Sequence, residues 1–314
     1  MNNNKVKSEY NIIFFGTSTF AKIILGTLID SKYKPALVVT APDRPTGRKQ
    51  ELTPPPVKIL AEKNKIPVFQ PESLKAAKNK LGKTEPDLFI VAEYGKILPK
   101  EVIELPKHGA INIHASLLPK YRGSSPIQFA LLHGDQVTGN TIILMDEEMD
   151  HGPMLSQEMV EVEENDTTET LRKKLAYHGA RLLMKTLPDW ISGEITPFEQ
   201  DHSKATYTKI ITRNDGKIDW TKSADDIKKM WQAYTPWPGL FTFWKNKRLK
   251  ILTFEVVEHD VNNPGEVIRY KDVFAIQTQN NIIVPQKIQL EGKKPQGAKE
   301  FLNGHEEIIG MRLI

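Results

Sequence analysis

The chain has no cysteine among its 314 residues. That excludes disulfides, thiolate zinc sites and a cysteine nucleophile, and it is compatible with a reducing cytoplasm. No apolar run approaches the roughly 18 residues that a bilayer-crossing helix needs, so no membrane partner is expected. The segment from Met1 to Glu9 lacks the apolar stretch of a secretory signal and reads as a short polar tail. Glycine is scarce where a dinucleotide site would need it. Phe15-Gly16-Thr17-Ser18-Thr19-Phe20 holds one glycine where the fingerprint uses three, which excludes NAD and FAD. His133, His151, His178 and His202 show no ligand spacing, and no metal is expected. Neither sign of charge dominates: 43 Lys and Arg stand against 39 Asp and Glu, a net charge of +4. That balance permits an anionic partner without requiring one. There is no internal repeat and no low-complexity tract.

What is present is a regular alternation. Short apolar runs at Asn11–Gly16, Ala36–Thr40, Ile66–Phe69, Asp87–Ala92, Ala110–His114 and Thr141–Met145 read as strands. Helical spacing appears over Phe20–Ile29, and over Pro56–Lys63 with proline near the start. This predicts an α/β fold with a mostly parallel, doubly wound sheet. Asp166-Thr-Thr-Glu169 matches a capping box, with Asp166 as N-cap of a helix that Pro188 should stop. After about Ser203 the texture changes. A helix over Ala224–Tyr234 is followed by short alternating segments at 241–244, 249–257, 265–270, 273–278 and 282–289, the pattern of a small OB-like β-barrel. The expected division is therefore 1–203 and 204–314.

The stretch from Ala110 to Pro153 holds the residues fit for chemistry. Asn112 and His114 are two apart on a strand and share a face, at the carboxyl end where open α/β sheets bind ligands. An amide can donate to a developing oxyanion, worth about 3 kcal/mol, an imidazole can pass a proton, and the carboxylate of Asp150 can orient the ring. Taken alone, these residues fit a satisfied strand end as well as a site.

The flanking motif tips the balance. Ala110 to Gly123 reads Ala-Ile-Asn-Ile-His-Ala-Ser-Leu-Leu-Pro-Lys-Tyr-Arg-Gly. It resembles the signature of the formyltransferases that use 10-formyltetrahydrofolate. The likeness extends over the whole chain to the members that act on methionyl-tRNA, through Phe15-Gly-Thr17, Pro42–Arg48, Pro54–Lys58, Pro67–Pro71, Tyr94–Pro99, Ser125–Gln128, Ile218–Trp220 and Pro236–Pro238.

The resemblance implies a Rossmann-like first domain that binds folate and catalyses, and a barrel domain that binds tRNA. It places Asn112, His114 and Asp150 in catalysis. Ser116, Leu117, Leu118 and Pro119 match the folate loop, and Tyr94, Ile97 and Leu98 the wall facing the pterin. Arg44, Arg48 and Lys49, in a polar loop broken by prolines, would clasp the tRNA. Lys245, Lys247 and Arg248 would add a second contact from the barrel. The implied partners are initiator methionyl-tRNA and the folate donor, acting on a cytoplasmic monomer. The alternatives are an amino-sugar N-formyltransferase and a non-catalytic RNA-binding protein. Glu93 departs from the small residue expected before Tyr94.

Overall fold

The computed structural model describes residues 9–47 and 50–314. In chain order the first elements are β1 (Ile12–Gly16), α1 (Thr19–Ile29), β2 (Leu37–Val39), β3 (Arg44–Thr46), β4 (Glu51–Thr53), α2 (Pro56–Lys63), β5 (Val68–Phe69), α3 (Leu74–Gly82), β6 (Leu88–Ala92) and α4 (Lys100–Ile103). There follow β7 (Ala110–His114), α5 (Pro126–His133), β8 (Val137–Leu144), β9 (Met154–Glu161) and α6 (Thr168–Ser192). The remainder is α7 (Ala224–Tyr234), β10 (Leu240–Trp244), β11 (Lys247–Val257), β12 (Val267–Tyr270), β13 (Val273–Gln277), β14 (Ile282–Leu290), β15 (Gln296–Gly297) and α8 (Ala298–Gly304).

These elements form two compact units, and the units are interleaved in sequence. One holds the chain up to Pro126, 136–162 and 170–209; the other holds Ile127–Asp135, Glu163–Glu169 and 210–314.

The first unit is built on a seven-stranded sheet in the order β5-β2-β1-β6-β7-β8-β9. The pairs from β5 to β7 are parallel, and β8 and β9 add an antiparallel flank. β1 and β6 are buried throughout. That is why both read as unbroken apolar runs and not as alternations. The order reverses between β1 and β6, the position where this class of sheet opens a ligand crevice. Phe15, Phe89 and Tyr94 pack into one apolar cluster with Leu74, Leu81 and Leu98.

Two readings of the sequence need correction here. The proline-broken loop is in part a strand: Arg44–Thr46 is β3, which pairs antiparallel with β4, Arg44 opposite Thr53 and Pro45 opposite Leu52. A two-stranded ribbon has free edges, where a residue without an N–H is tolerated. Pro188 lies inside α6, which runs on to Ser192. Proline removes one helical hydrogen bond, and the last turn is held instead by tertiary contacts, among them Trp190 Nε1 donating to the carbonyl of His108 at 3.0 Å. That helix begins at Thr168, two residues past the expected cap, and Asp166 Oδ2 accepts from the Glu163 N–H at 2.9 Å.

The second unit carries a six-stranded antiparallel sheet, β10-β11-β14-β13-β12, with β15 on β14. The two outer strands, β10 and β12, are joined by the segment after α8. Met311 O accepts from Val267 N–H at 2.8 Å and Leu313 N–H donates to Gly265 O at 2.9 Å, while Ile314 O accepts from Phe243 N–H at 2.8 Å. The tail thus covers both edges, as a barrel closure does.

Candidate active site

β7 delivers Asn112 and His114 to the same side of the sheet, with Ile111 and Ile113 buried on the other. His114 is 6% exposed. The Tyr121 carbonyl lies 2.9 Å from its Nε2. A carbonyl only accepts, so Nε2 carries a hydrogen and donates it. Nδ1 then faces Asp150 Oδ1 at 3.4 Å. The same Oδ1 accepts from Asn112 Nδ2 at 3.3 Å, and Oδ2 accepts from the Gly123 N–H at 2.8 Å. The three side chains singled out in the sequence therefore converge on one carboxylate, across the 36 or more residues that separate Asp150 from β7.

The loop after β7 supplies the local geometry. Tyr121 has φ +63° and Gly123 φ +110°, turning the Tyr121 carbonyl and the Gly123 N–H toward the site. Ser116 is fully buried and its hydroxyl donates to the Lys120 carbonyl. Leu118 N–H donates to Thr141 Oγ1 at 3.1 Å, and Gln157 Nε2 donates to Leu118 O at 3.0 Å. The Leu118–Pro119 peptide is cis. Leu117 turns the chain, its carbonyl accepting from Lys120 N–H at 3.0 Å. The Ser116–Pro119 segment is thus locked by β8 and β9, with Leu118 in an apolar cluster beside Ile143 and Met154.

Tyr94 and Leu98 lie in the core at 3% exposure each, whereas Ile97 is 76% exposed. Burial pushes the Tyr94 phenol up to about 12, and its hydroxyl has no hydrogen-bond partner. Its carbonyl accepts from Thr17 Oγ1 at 2.8 Å. Glu93, with φ +39°, turns inward: its carboxylate accepts from the Ser18 hydroxyl and pairs with Arg172 at 3.5 Å. It follows the carboxyl end of β6 directly, and Ser18 lies just past the carboxyl end of β1.

Arg44 is exposed on β3. Arg48 and Lys49 lie outside the described residues. In the β10–β11 turn, Lys245 pairs with Glu307 at 2.9 Å, and the Arg248 guanidinium lies 4.4 Å from the Phe241 ring centre. Lys247 is exposed. Among the described residues, no cluster of three or more His, Asp or Glu side chains is placed to hold a metal ion, and no helix is long and apolar enough to cross a membrane.

Two residues without a role in the sequence reading complete the site's surroundings. Arg122 is 2% exposed and donates from Nε and Nη2 to Gln200 Oε1 at 3.2 and 2.7 Å. Gln200 Nε2 donates in turn to the carbonyls of Asp150 and Gly152 at 2.9 and 2.8 Å. Arg122 stands within the signature and was open to notice there. Gln200 sits in a polar stretch 50 residues from Asp150, and nothing in its neighbours marks it.

Residues 10–187 match the model of the formyl transferase family, and residues 210–306 that of the formyl transferase C-terminal domain. The methionyl-tRNA formyltransferase of Alkaliphilus oremlandii is 42% identical over 298 residues, which cover 94% of this chain and 96% of that protein. Its counterpart in Listeria monocytogenes is 44% identical, covering 93% and 95%. Among solved structures, an N-formyltransferase from Helicobacter canadensis, in complex with folinic acid and dTDP-3-aminofucose, superposes with a TM-score of 0.65 at 20% identity, covering 88% of this chain and 99% of that one.

Proposed function

Since this chain belongs to the formyl transferase family, we propose that it transfers the formyl group of 10-formyltetrahydrofolate to the α-amine of methionine on initiator methionyl-tRNA. The observation that carries the chemistry is the convergence of Asn112, His114 and Asp150. The likeness to curated methionyl-tRNA formyltransferases over more than nine-tenths of both chains carries the acceptor.

The formyl carbon is electrophilic and the acceptor is an amine, so no covalent enzyme intermediate is needed. The amine adds to the formyl carbon and the carbonyl oxygen gains charge. The Asn112 amide donates to that oxygen, and His114 adds positive charge beside it once Nδ1 has taken the proton lost by the amine. The new C–N bond persists, the bond to the folate nitrogen breaks, and the proton lost by the amine ends on that leaving nitrogen. His114 Nε2 is engaged by the Tyr121 carbonyl. Proton traffic therefore passes through Nδ1, on the side of Asp150. Ser116–Pro119 and Tyr94–Leu98 line the folate side, with Ile97 the side chain exposed to meet the donor. Arg44 on β3, Arg48 and Lys49 a few residues further along the chain, and Lys247 from the second unit meet the tRNA backbone. Lys245 and Arg248 add to it only by leaving Glu307 and Phe241.

The deciding experiment offers the enzyme 10-formyltetrahydrofolate with either initiator methionyl-tRNA or a nucleotide-linked amino sugar. Formylated methionine on the tRNA, with the sugar untouched, is expected. Formylation of the sugar alone would replace this reading by the amino-sugar one, and no turnover of either would favour the non-catalytic alternative.

A further inference from the structure

Asp150 holds its carboxylate in place from a backbone conformation that works against it. Its φ is +51°, in the left-handed region, which is strained for a non-glycine residue and persists only where its surroundings impose it. The side chain itself is a poor anchor. Its contact to Asn112 is 3.3 Å and its approach to His114 is 3.4 Å, and only the Gly123 N–H lies at 2.8 Å.

The backbone is held from the other side. Gln200 Nε2 spends both hydrogens on the carbonyls flanking the turn, those of Asp150 and Gly152. The Gln200 amide is itself fixed by two N–H groups of Arg122. Arg122 also donates to His202 Nδ1 at 2.8 Å, and its backbone exchanges hydrogen bonds with Thr206 and Thr208 at 2.8 Å each. Among the described residues the guanidinium's acceptors are the neutral groups of Gln200, His202 and, at 3.5 Å, Tyr207, although the side chain is almost wholly buried. A buried charge is costly, and here it is met by hydrogen bonds that also fix Gln200. Gly152 lets the turn pass close to β8, since a methyl group on its Cα would lie 1.9 Å from the Leu144 carbonyl oxygen.

We infer that Arg122 and Gln200 are positioning residues for the transfer reaction: together they form a buried strut that sets the Asp150 turn and so the distance from its carboxylate to Asn112 and His114. Neither touches the reacting groups. This rests on the proposed reading of Asn112, His114 and Asp150.

The test is Gln200→Glu, assayed for formyl transfer alone and combined with Asp150→Asn. Glutamate keeps the acceptor for Arg122 and removes the two donors to the turn. The expected result is a kcat lower by about 10- to 100-fold, with the KM of each substrate within roughly threefold. In the Asp150→Asn enzyme, the added Gln200→Glu change should cost almost nothing further, because the carboxylate it served is gone. Should the charge of glutamate unfold the chain, Gln200→Met removes the donors together with the acceptor for Arg122, and its kcat then reads the strut as a whole. A wild-type kcat in the folded Gln200 variant, or losses that multiply in the double variant, would overturn the strut. If Asp150→Asn alone left transfer intact, the reading of the site would fall, and the strut with it. That outcome is distinct from an active-site loss in Asp150→Asn with no loss in the Gln200 variant.

Discussion

Gly123 has φ +110°, and a methyl group on its Cα would stand 2.7 Å from Thr208 Oγ1 and 2.9 Å from the Thr208 carbonyl oxygen. Its N–H is the shortest contact to the Asp150 carboxylate. Gly123→Ala should therefore strain the turn by roughly 1–3 kcal/mol and move that donor. The expected outcome is a fall in kcat of about 100-fold with a lowered Tm and an unchanged far-UV circular dichroism spectrum. Steady-state kinetics and thermal melts check both. At this scale the sequence was informative where side chains do the work: Asn112 and His114 are two apart on one strand. It was silent where the backbone does. The Tyr121 carbonyl and the Gly123 N–H have no side-chain signature, and Gln200 reaches the site only through chain folding. Glu93 departs from the small residue expected there, but its partners, Ser18 at the N-cap of α1 and Arg172 on α6, lie far apart in sequence.

Among the elements, the parallel strands were the most legible because burial on both faces leaves an apolar run that needs no phase. β7, α2 and α7 match the expected bounds residue for residue. β9 was not foreseen. It is an edge strand with alternating exposure, and its polar positions dilute the apolar signal. The start of β6 is tied to β1 by Asp87, whose Oδ1 accepts from Lys107 Nζ and whose Oδ2 accepts from the Asn11 N–H. The Lys107 hydrogen bond first, and the Asn11 N–H second, hold this carboxyl below its ordinary value of 3.8. A carboxylate lowered in the folded chain stabilises it above the unfolded value, and that contribution is lost as pH falls through the folded value. Asp87→Asn should thus lower Tm at pH 7, and the gap to the parent protein should close below about pH 4. Melts across pH 3–7 measure it, and a gap independent of pH would assign the loss to packing instead.

For the whole molecule, the interleaving of the two units changes what a fragment would be. Within the second unit, Thr168 Oγ1 donates to the Ala233 carbonyl at 2.6 Å and Gln232 Nε2 donates to the Glu164 carbonyl at 2.6 Å. A fragment of residues 204–314 lacks both partners and α5. It should melt at a lower denaturant concentration than the same sheet in the full chain. Tryptophan fluorescence during a urea titration reports it, through Trp220, Trp231 and Trp244. Equal midpoints would show that Ile127–Asp135 and Glu163–Glu169 add nothing. No composition or periodicity in the sequence marks these two short segments as belonging with the later half, because their partners are set by packing and not by neighbours in the chain.

The same interleaving bears on birth at the ribosome. α5, with Ile127, Ala130 and Leu131 buried in the finished fold, emerges about 100 residues before α7. At about 5–20 residues per second, on the order of 5–20 s passes before α7, an element of the same compact unit, follows it out. Over that interval α5 stands without the rest of its unit, so the order of synthesis and the order of assembly differ along this chain.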